Sequence, residues 1–395
     1  VDADHPGLLE DYRSQLPRSY LAFGFTTLVD LNAKPATLAW FNRAPLHPDY
    51  YHCGQAVEIV GGYPSFANPK DKAEADRVNL VYDPAQSEHW PAALDRNSYT
   101  PADAVRRAAD AGAICVKVFV EHGFGGAAHW PVPSRQTLDA LRAASVARGL
   151  VFVVHANAVE SWRAALDAHA DVIAHGLWHW PGDLHSTTPP VEARTVIRRA
   201  AASHVAVQPT LQAVFGDESI FDRSILRDPR LAESLPPTVL AWLTSGEGEA
   251  AARSQAEEYR SAIARMLGPI GEQKAMSIAP SRAMATLRLM LGDHVRLLFG
   301  TDTPSNEGIG NPPGLNGRLE LGRWAEAGVP LGRILRAATV DNAKAFHLSS
   351  DVGTIEVGKR ADLLLLRSDP LKTIHAYDTI DTVFLNGVRS RGTTS

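Results

Sequence analysis

Four polar side chains stand at the tails of short apolar runs: Lys117 within Ile114-Cys-Val-Lys-Val-Phe-Val120, His155 after Leu150-Val-Phe-Val-Val154, His175 after Val172-Ile-Ala174, and Asp302 after Leu297-Leu-Phe-Gly-Thr301. Imidazole and carboxylate are the ligand types of a hydrolytic metal site. Such a site makes water a nucleophile at neutral pH and polarises a carbonyl. An apolar run of about four to six residues reads as a buried strand, and ligand types at the ends of successive strands read as the catalytic rim of a (β/α)8 barrel.

The elements between these residues support that rim. Phe23 to Asp30 and Ala56 to Val60 have strand character, after which strand-like and helix-period segments alternate as in βα units around a parallel sheet. Thr100-Pro-Ala-Asp103 predicts a capped helix stopping near Gly112, because a hydroxyl precedes a carboxylate by three residues and Pro occupies the first helical position. Ser134 opens the next helix and Gly149 closes it; helices over 159–168 and 194–202 separate the runs that end in His155, His175 and Gln208. Residues 216–275 read as a helical insertion, 295–299 as the last barrel strand, and 316–327 as the closing helix. The chain divides into a barrel over 1–348 and, over 349–395, strand-and-turn sequence expected to be part of a small C-terminal β-sandwich unit. Seven barrel strands are counted, near Phe23, Ala56, Ile114, Val151, Val172, Val205 and Val295, where a closed barrel has about eight. Val1 to Tyr20 offers only a turn at Pro6-Gly7 and a helical stretch, so the first barrel strand is expected upstream of Val1.

Period-two alternation sends Cys115, Lys117 and Phe119 toward the barrel interior and Val116 and Val118 toward the helices. An interior lysine is a costly charge unless its pKa falls or it gains a partner. The ordinary alternatives are a side chain that snorkels to the rim or pairs with a carboxylate.

Composition narrows the classes. With 45% hydrophobic and 21% charged residues, the 395-residue chain reads as globular. Its net charge of -5 leaves no basic excess for nucleic acid, and no apolar stretch reaches the ~18 residues of a membrane helix. The expected partner is a small-molecule substrate. Nothing identifies a homo-oligomer interface, and no signal-peptide pattern at Val1 assigns a compartment. Cys53 and Cys115 are too few for a disulfide framework, and Cys115 reads as a small buried hydrophobe.

A longer pattern lies downstream: Ala338-Thr-Val-Asp-Asn-Ala-Lys-Ala-Phe-His-Leu348, then Gly353-Thr-Ile-Glu-Val-Gly-Lys-Arg-Ala-Asp-Leu363. Gly24-Phe-Thr-Thr27, Val207-Gln-Pro-Thr-Leu211 and Gly300-Thr-Asp302 accompany it in order. In these segments the chain resembles the amidohydrolase superfamily, in the branch of imidazolonepropionase-like proteins and metal-dependent prolidases. The resemblance implies a binuclear site of divalent metal, zinc above all, bridged by a carboxylated Lys117. It implies His155, His175 and Asp302 as further metal ligands, and Asp302 as the catalytic group that moves a proton from water to the leaving group. It also implies hydrolysis of an amide bond, as in an N-acyl amino acid, dipeptide or cyclic amide. His122, His129, Trp130 and His179, on loops after the strands, are the candidates for substrate contact, with Glu121, Asn157, Trp178 and Trp180 nearby in sequence.

The sequence departs from that pattern at one place. No His-x-His pair, which the family places on its first strand, occurs in it. The pair is expected with the first strand, upstream of Val1. The same site on a lactone, carbamate or phosphoester is the alternative chemistry, and a non-catalytic barrel is the alternative if the pair is lost. A mononuclear deaminase is disfavoured because His155 is followed by Ala-Asn-Ala-Val, without a glutamate.

Overall fold

The structure is a computed structural model that describes residues 4–124, 129–267, 271–303 and 309–392. Thr27–Asp30 (β1) pairs in parallel with Asp49–His52 (β2). Val57–Glu58 (β3), Asn79–Leu80 (β4), Cys115–Phe119 (β5), Val151–His155 (β6), Val172–Ala174 (β7), Ala206–Gln208 (β8) and Arg296–Leu297 (β9) form an all-parallel sheet in the order β4-β3-β5-β6-β7-β8-β9. The two sheets meet where the Ile114 amide donates to the His52 carbonyl at 2.9 Å. This is the α/β architecture of the (β/α)8 type, and no β9 to β1 pairing closes it among the described residues.

Alternation along the strands separates two cores. Cys115, Val151, Val153, Val172, Ala174, Ala206 and Leu298 pack together inside the curved sheet, with Phe346 and Leu348 completing the cluster. Val116, Val118, Phe152, Val154, Ile173, Val207 and Leu297 face outward onto Leu138, Leu141, Trp162, Ile197 and Leu287 of the helices. Strands covered on both faces are expected to read as near-continuous apolar runs, and these do. The helix Pro101–Asp110 carries the full capping box of Thr100 and Asp103, and Ser134 caps Arg135–Ala147. Val159–Asp167 and Val191–Ser203 continue the alternation. From Leu211 to Gly292 the described chain is a series of helices ending in Gly246–Leu267 and Glu272–Gly292.

Three sequence expectations change. The strand expected from Phe23 begins at Thr27, because Gly24 turns the chain at φ +82° and a Cβ there would lie 2.9 Å from Leu364 Cδ1. The polar stretch Asp49–His52 forms β2, while the apolar run at Ala56 supplies only the two residues of β3. Cys115 is fully buried as expected, yet it is disulfide-bonded to Cys53. The physical reason is topological: β2 delivers Cys53 beside the first residue of β5, and both side chains enter the same interior cluster.

After the barrel, Leu363–Leu366 (β10), Ile380–Leu385 (β11) and Val388–Gly392 (β12) form an antiparallel meander. Asn386 and Gly387, both at positive φ, make the tight turn between its last two strands. Asp378 fastens this end of the chain to the barrel by accepting from Arg318 at 2.8 and 2.6 Å and from Arg230 at 2.8 Å. Arg360 does the same toward β2, pairing with Asp49 at 2.7 Å. Among the described residues no helix is long and apolar enough to cross a membrane.

The disulfide closes a loop with a sequence separation of 62 residues. Constraint of the unfolded chain over such a loop contributes up to about 4 kcal/mol. Reductant, or Cys53→Ser with Cys115→Ser, is therefore expected to lower the urea midpoint. Two free thiols per denatured, unreduced chain would contradict the pairing.

Candidate functional site

Lys117, His155 and His175 converge at the C-terminal ends of β5, β6 and β7, each only 4% exposed, and Asp302 follows β9 at the mouth. Regular alternation carries Lys117 and His155 inward. It does not carry His175, because Ala174 already points into the interior cluster. The backbone at His175 instead adopts φ +114°, and Thr210 and Asp302 sit at φ +46° and +53°. Three non-glycine residues at positive φ on adjacent strand ends mark a strained rim, the kind of backbone held in place at functional sites. Gly176 permits the turn, since a Cβ there would lie 2.9 Å from the Pro209 carbonyl.

The polar contacts define proton positions. Lys117 Nζ lies 3.5 Å from His175 Nε2 and 4.8 Å from the centre of the Phe119 ring. With the ammonium donating, Nε2 is the acceptor of a neutral imidazole, and Nδ1 carries the proton toward Thr210 Oγ1 at 3.1 Å. Asp302 Oδ2 lies 3.7 Å from that same Nδ1. His155 Nε2 approaches Glu121 Oε2 at 3.3 Å and donates to it, which leaves the buried Nδ1 of His155 as a lone pair without a partner. The two imidazole centres are 4.8 Å apart.

Burial dominates the titration of the group. It pushes the Lys117 ammonium down to about 8, against the raising effect of Asp302 and Asp30. It drives His175 well below the usual histidine range, with Lys117 and His155 adding to the effect, and it lowers His155 against Glu121. Asp302 is raised by the surrounding protein despite Lys117 and His155, although 40% of its side chain is exposed. A carboxylate at the mouth meets both conditions: water touches it, while dense protein around it weakens its solvation. For Glu121, burial raises the pKa, but His155 and the amides of Gly123 and Phe124 outweigh it and bring the net value down.

The loop candidates divide. Trp130 stacks on Tyr63, with ring centres 5.7 Å apart, and Tyr63 in turn lies 5.6 Å from the His155 ring. His179 lies 6.1 Å from Phe124, and burial pushes it down to about 4. His122 neighbours Glu121 and keeps a buried Nδ1 without a partner. His129 is exposed, and no contact joins it to the group. Sequence reasoning missed Tyr63 and Thr210. The Gly61-Gly62-Tyr63-Pro64 turn directly after β3 was the available signal for Tyr63, and the Gln208-Pro209-Thr210 end of β8 was the signal for Thr210.

The donor types suit a divalent metal only in part. Among the described residues no three His, Cys, Asp or Glu side chains form a metal-holding group. Two features nevertheless fit one ion: the unpartnered Nδ1 of His155 with its other nitrogen fixed by a carboxylate, and a buried lysine without an acidic hydrogen-bond partner.

Behind Thr210, Glu320 holds the strand end in place. Its fully buried carboxylate accepts from the amides of Leu211 at 3.0 Å and Gln212 at 2.5 Å, and from Trp324 Nε1 at 2.7 Å. Burial pushes its pKa up to about 7, against these donors. The folded protein thus binds this proton more tightly than the unfolded chain, whose value is near 4.5. The stability it contributes is present below about pH 4.5 and is lost as pH rises to about 7, on the order of 3 kcal/mol. Glu320→Gln should remove that slope from the difference between wild-type and variant unfolding curves. A parallel pH dependence in the two proteins would refute it.

A sequence profile of the amidohydrolase family matches residues 20–389. No curated protein matches the chain significantly. Among solved structures, a Xaa-Pro dipeptidase with methionine bound in its active site superposes with a TM-score of 0.63 at 21% identity, covering 99% of this chain and 80% of that one. A putative prolidase from Bifidobacterium longum gives 0.61 at 19% identity, over 98% and 79% of the two chains. The A. niger ochratoxinase gives 0.61 at 17% identity, over 100% and 80%. With a match that runs over nearly its whole length, the chain belongs to the amidohydrolase family.

Proposed function

We propose that the protein hydrolyses an amide bond of a small molecule, and that Lys117, His155, His175 and Asp302 hold the divalent metal used for it. The observation that carries this reading is Lys117. Its ammonium is buried inside the barrel, its hydrogen-bond partner is the His175 imidazole, and no carboxylate among the described residues is hydrogen-bonded to it. A non-catalytic barrel gains nothing from that arrangement. Carboxylation resolves it, because the neutral amine attacks CO2, forms an N–C bond and releases one proton, leaving an anionic oxygen ligand. A pKa near 8 makes the neutral amine accessible at physiological pH. Solved structures of a Xaa-Pro dipeptidase and a putative prolidase share the fold, which supports an amide as the bond cleaved.

A divalent metal supplies a lowered water pKa and a polarised carbonyl; zinc suits these donor types. The chain's own residues supply the rest. Glu121 orients His155, so that its Nδ1 presents a lone pair. Thr210 fixes the His175 proton on Nδ1 and leaves Nε2 directed at Lys117. Asp302, the most open of the four, takes the proton from the attacking water and returns it to the leaving nitrogen. Its raised pKa brings it closer to that task. The family's binuclear arrangement, bridged by carboxylated Lys117, needs a second set of ligands. The proposal assigns these residues to the one ion they share.

Asp302→Asn is expected to lower kcat/KM by roughly 10²- to 10⁴-fold. Lys117→Met should abolish both turnover and metal retention, with about one or more zinc ions per wild-type chain by elemental analysis. Dipeptides, N-acyl amino acids, capped amides and cyclic amides form the screen, with a lactone, a carbamate and a phosphoester as contrasts. Turnover of the contrasts alone would retire the amide reading, and a metal-free wild type from zinc-replete medium would retire the metal.

A further inference from the structure

The rim has an unusual chemical balance. Among the described residues, the segments that follow β1, β2 and β5 to β9 (31–35, 53–66, 120–124, 129–134, 156–158, 176–190, 209–216, 299–303 and 309–314) contain one Lys or Arg, Lys34. Against it stand four carboxylates: Glu58, Glu121, Asp183 and Asp302. Lys34 is itself exposed, and its charge acts on Glu58. From the helical segment, Arg282 reaches the 178–186 loop and is only 3% exposed. It is committed to the carbonyls of Ser186, Trp178, Asp183 and Leu184, and it lies 4.2 Å above the centre of the Trp180 ring. Of these two cations, Arg282 is committed to backbone carbonyls, and Lys34 is the exposed ammonium, acting on Glu58.

Aromatic rings occupy the position instead. Tyr63 meets Phe119, Phe124 and Trp130 at centre distances of 5.4, 5.2 and 5.7 Å, and Phe66 meets Trp130 at 4.9 Å. Phe119 and Tyr63 both flank the His155 ring, at 5.1 and 5.6 Å. Phe66 holds φ +51° and stays 44% exposed, a bulky residue kept in the left-handed region with its ring in water. Apart from the buried Lys117 beside Phe119, the polar atoms described beside this wall are uncharged or negative. The Tyr63 hydroxyl is pushed up to about 12 by burial and by the carboxylates of Asp302, Glu121 and Glu58, and Asn157 Oδ1 is buried without a partner.

A carboxylate next to the scissile bond would enter beside Glu58, Glu121 and Asp302, whereas an aromatic group would lie against Tyr63 and Trp130. We propose that the site selects uncharged amides with an aromatic or bulky apolar group, and discriminates against amides that carry a free carboxylate beside the scissile bond. This rests on the amide-hydrolysis reading and narrows its substrate class to capped or cyclic amides.

The test compares N-acetylphenylalaninamide, N-acetylphenylalanine and N-acetylalaninamide as substrates of the metal-loaded protein. The phenylalaninamide should exceed the acid and the alaninamide by roughly tenfold or more in kcat/KM. Trp130→Ala, or Phe66→Ala should the first variant not fold, should shrink the preference for phenylalaninamide over alaninamide. Phe66→Arg, at an exposed position, should raise the acid relative to the amide. An acid hydrolysed as well as its amide overturns the selectivity while leaving the hydrolase reading in place. Turnover of none of the three sinks the hydrolase reading instead, and calorimetric titration then decides the selectivity. Tighter binding of the amide upholds it; equal or tighter binding of the acid, or binding of neither, overturns it.

Discussion

Lys117 Nζ is enclosed by a barrel interior of valine, alanine and cystine side chains, and taking an ammonium out of water there costs several kcal/mol. The structure answers that cost in a specific way. No carboxylate among the described residues is in hydrogen-bond contact; a neutral imidazole accepts from the lysine at 3.5 Å, and the Phe119 ring lies beneath the charge at 4.8 Å. Both are weak partners for a full charge. The arrangement lowers the pKa rather than cancelling the charge, and a group held near its neutral form is a group available for covalent modification or coordination. Everything around it follows from the need to keep that nitrogen dry while leaving one direction open.

The strand ends meet the second half of that need through backbone conformation. A parallel strand delivers every second side chain inward, which suits Lys117 and His155 and fails for His175. The left-handed turn at His175 re-aims the imidazole, Gly176 makes room for it, and the Glu320 carboxylate anchors the neighbouring strand end through two amides so that Thr210 meets His175 Nδ1. Backbone strain of this kind costs about 1–3 kcal/mol per residue and survives only where surrounding contacts over-determine it. The buried Glu320, an unfavourable group by itself, is one such contact.

These details explain what could be read from the letters. Lys117, His155 and the alternating cores on either side of β5 and β6 were legible because period-two patterning is a direct consequence of strand geometry. The capping box at Thr100 and the cap at Ser134 were legible because caps are local. The position of His175 was legible and its inward aim was not, since φ +114° on a histidine has no signature in composition. The disulfide was hidden for a related reason. Cys53 follows a strand of tyrosines, an aspartate and a histidine that does not read as a core strand, so nothing in the sequence brought it beside Cys115. Glu121 was visible as a loop residue and Tyr63 was missed, because their contacts with His155 depend on tertiary placement of two loops.

Charge connects the interior to the rim. Under the proposed ligand set, a carboxylated Lys117 and an ionised Asp302 each bring one negative charge, and His155 and His175 bring none because burial keeps both neutral. One divalent ion balances that set, so the floor of the site is electrically neutral once filled. The field felt by an arriving substrate then comes from what lies above the floor, where Glu58 and Glu121 act on Tyr63 and Lys34 stands exposed after β1. In a water-poor cleft such a residual field is less screened than on an open surface, and it acts on a substrate's charge before any short-range contact forms. Under the proposed chemistry, the same burial that lowers the Lys117 pKa leaves the choice of substrate to the acidic and aromatic side chains of the rim.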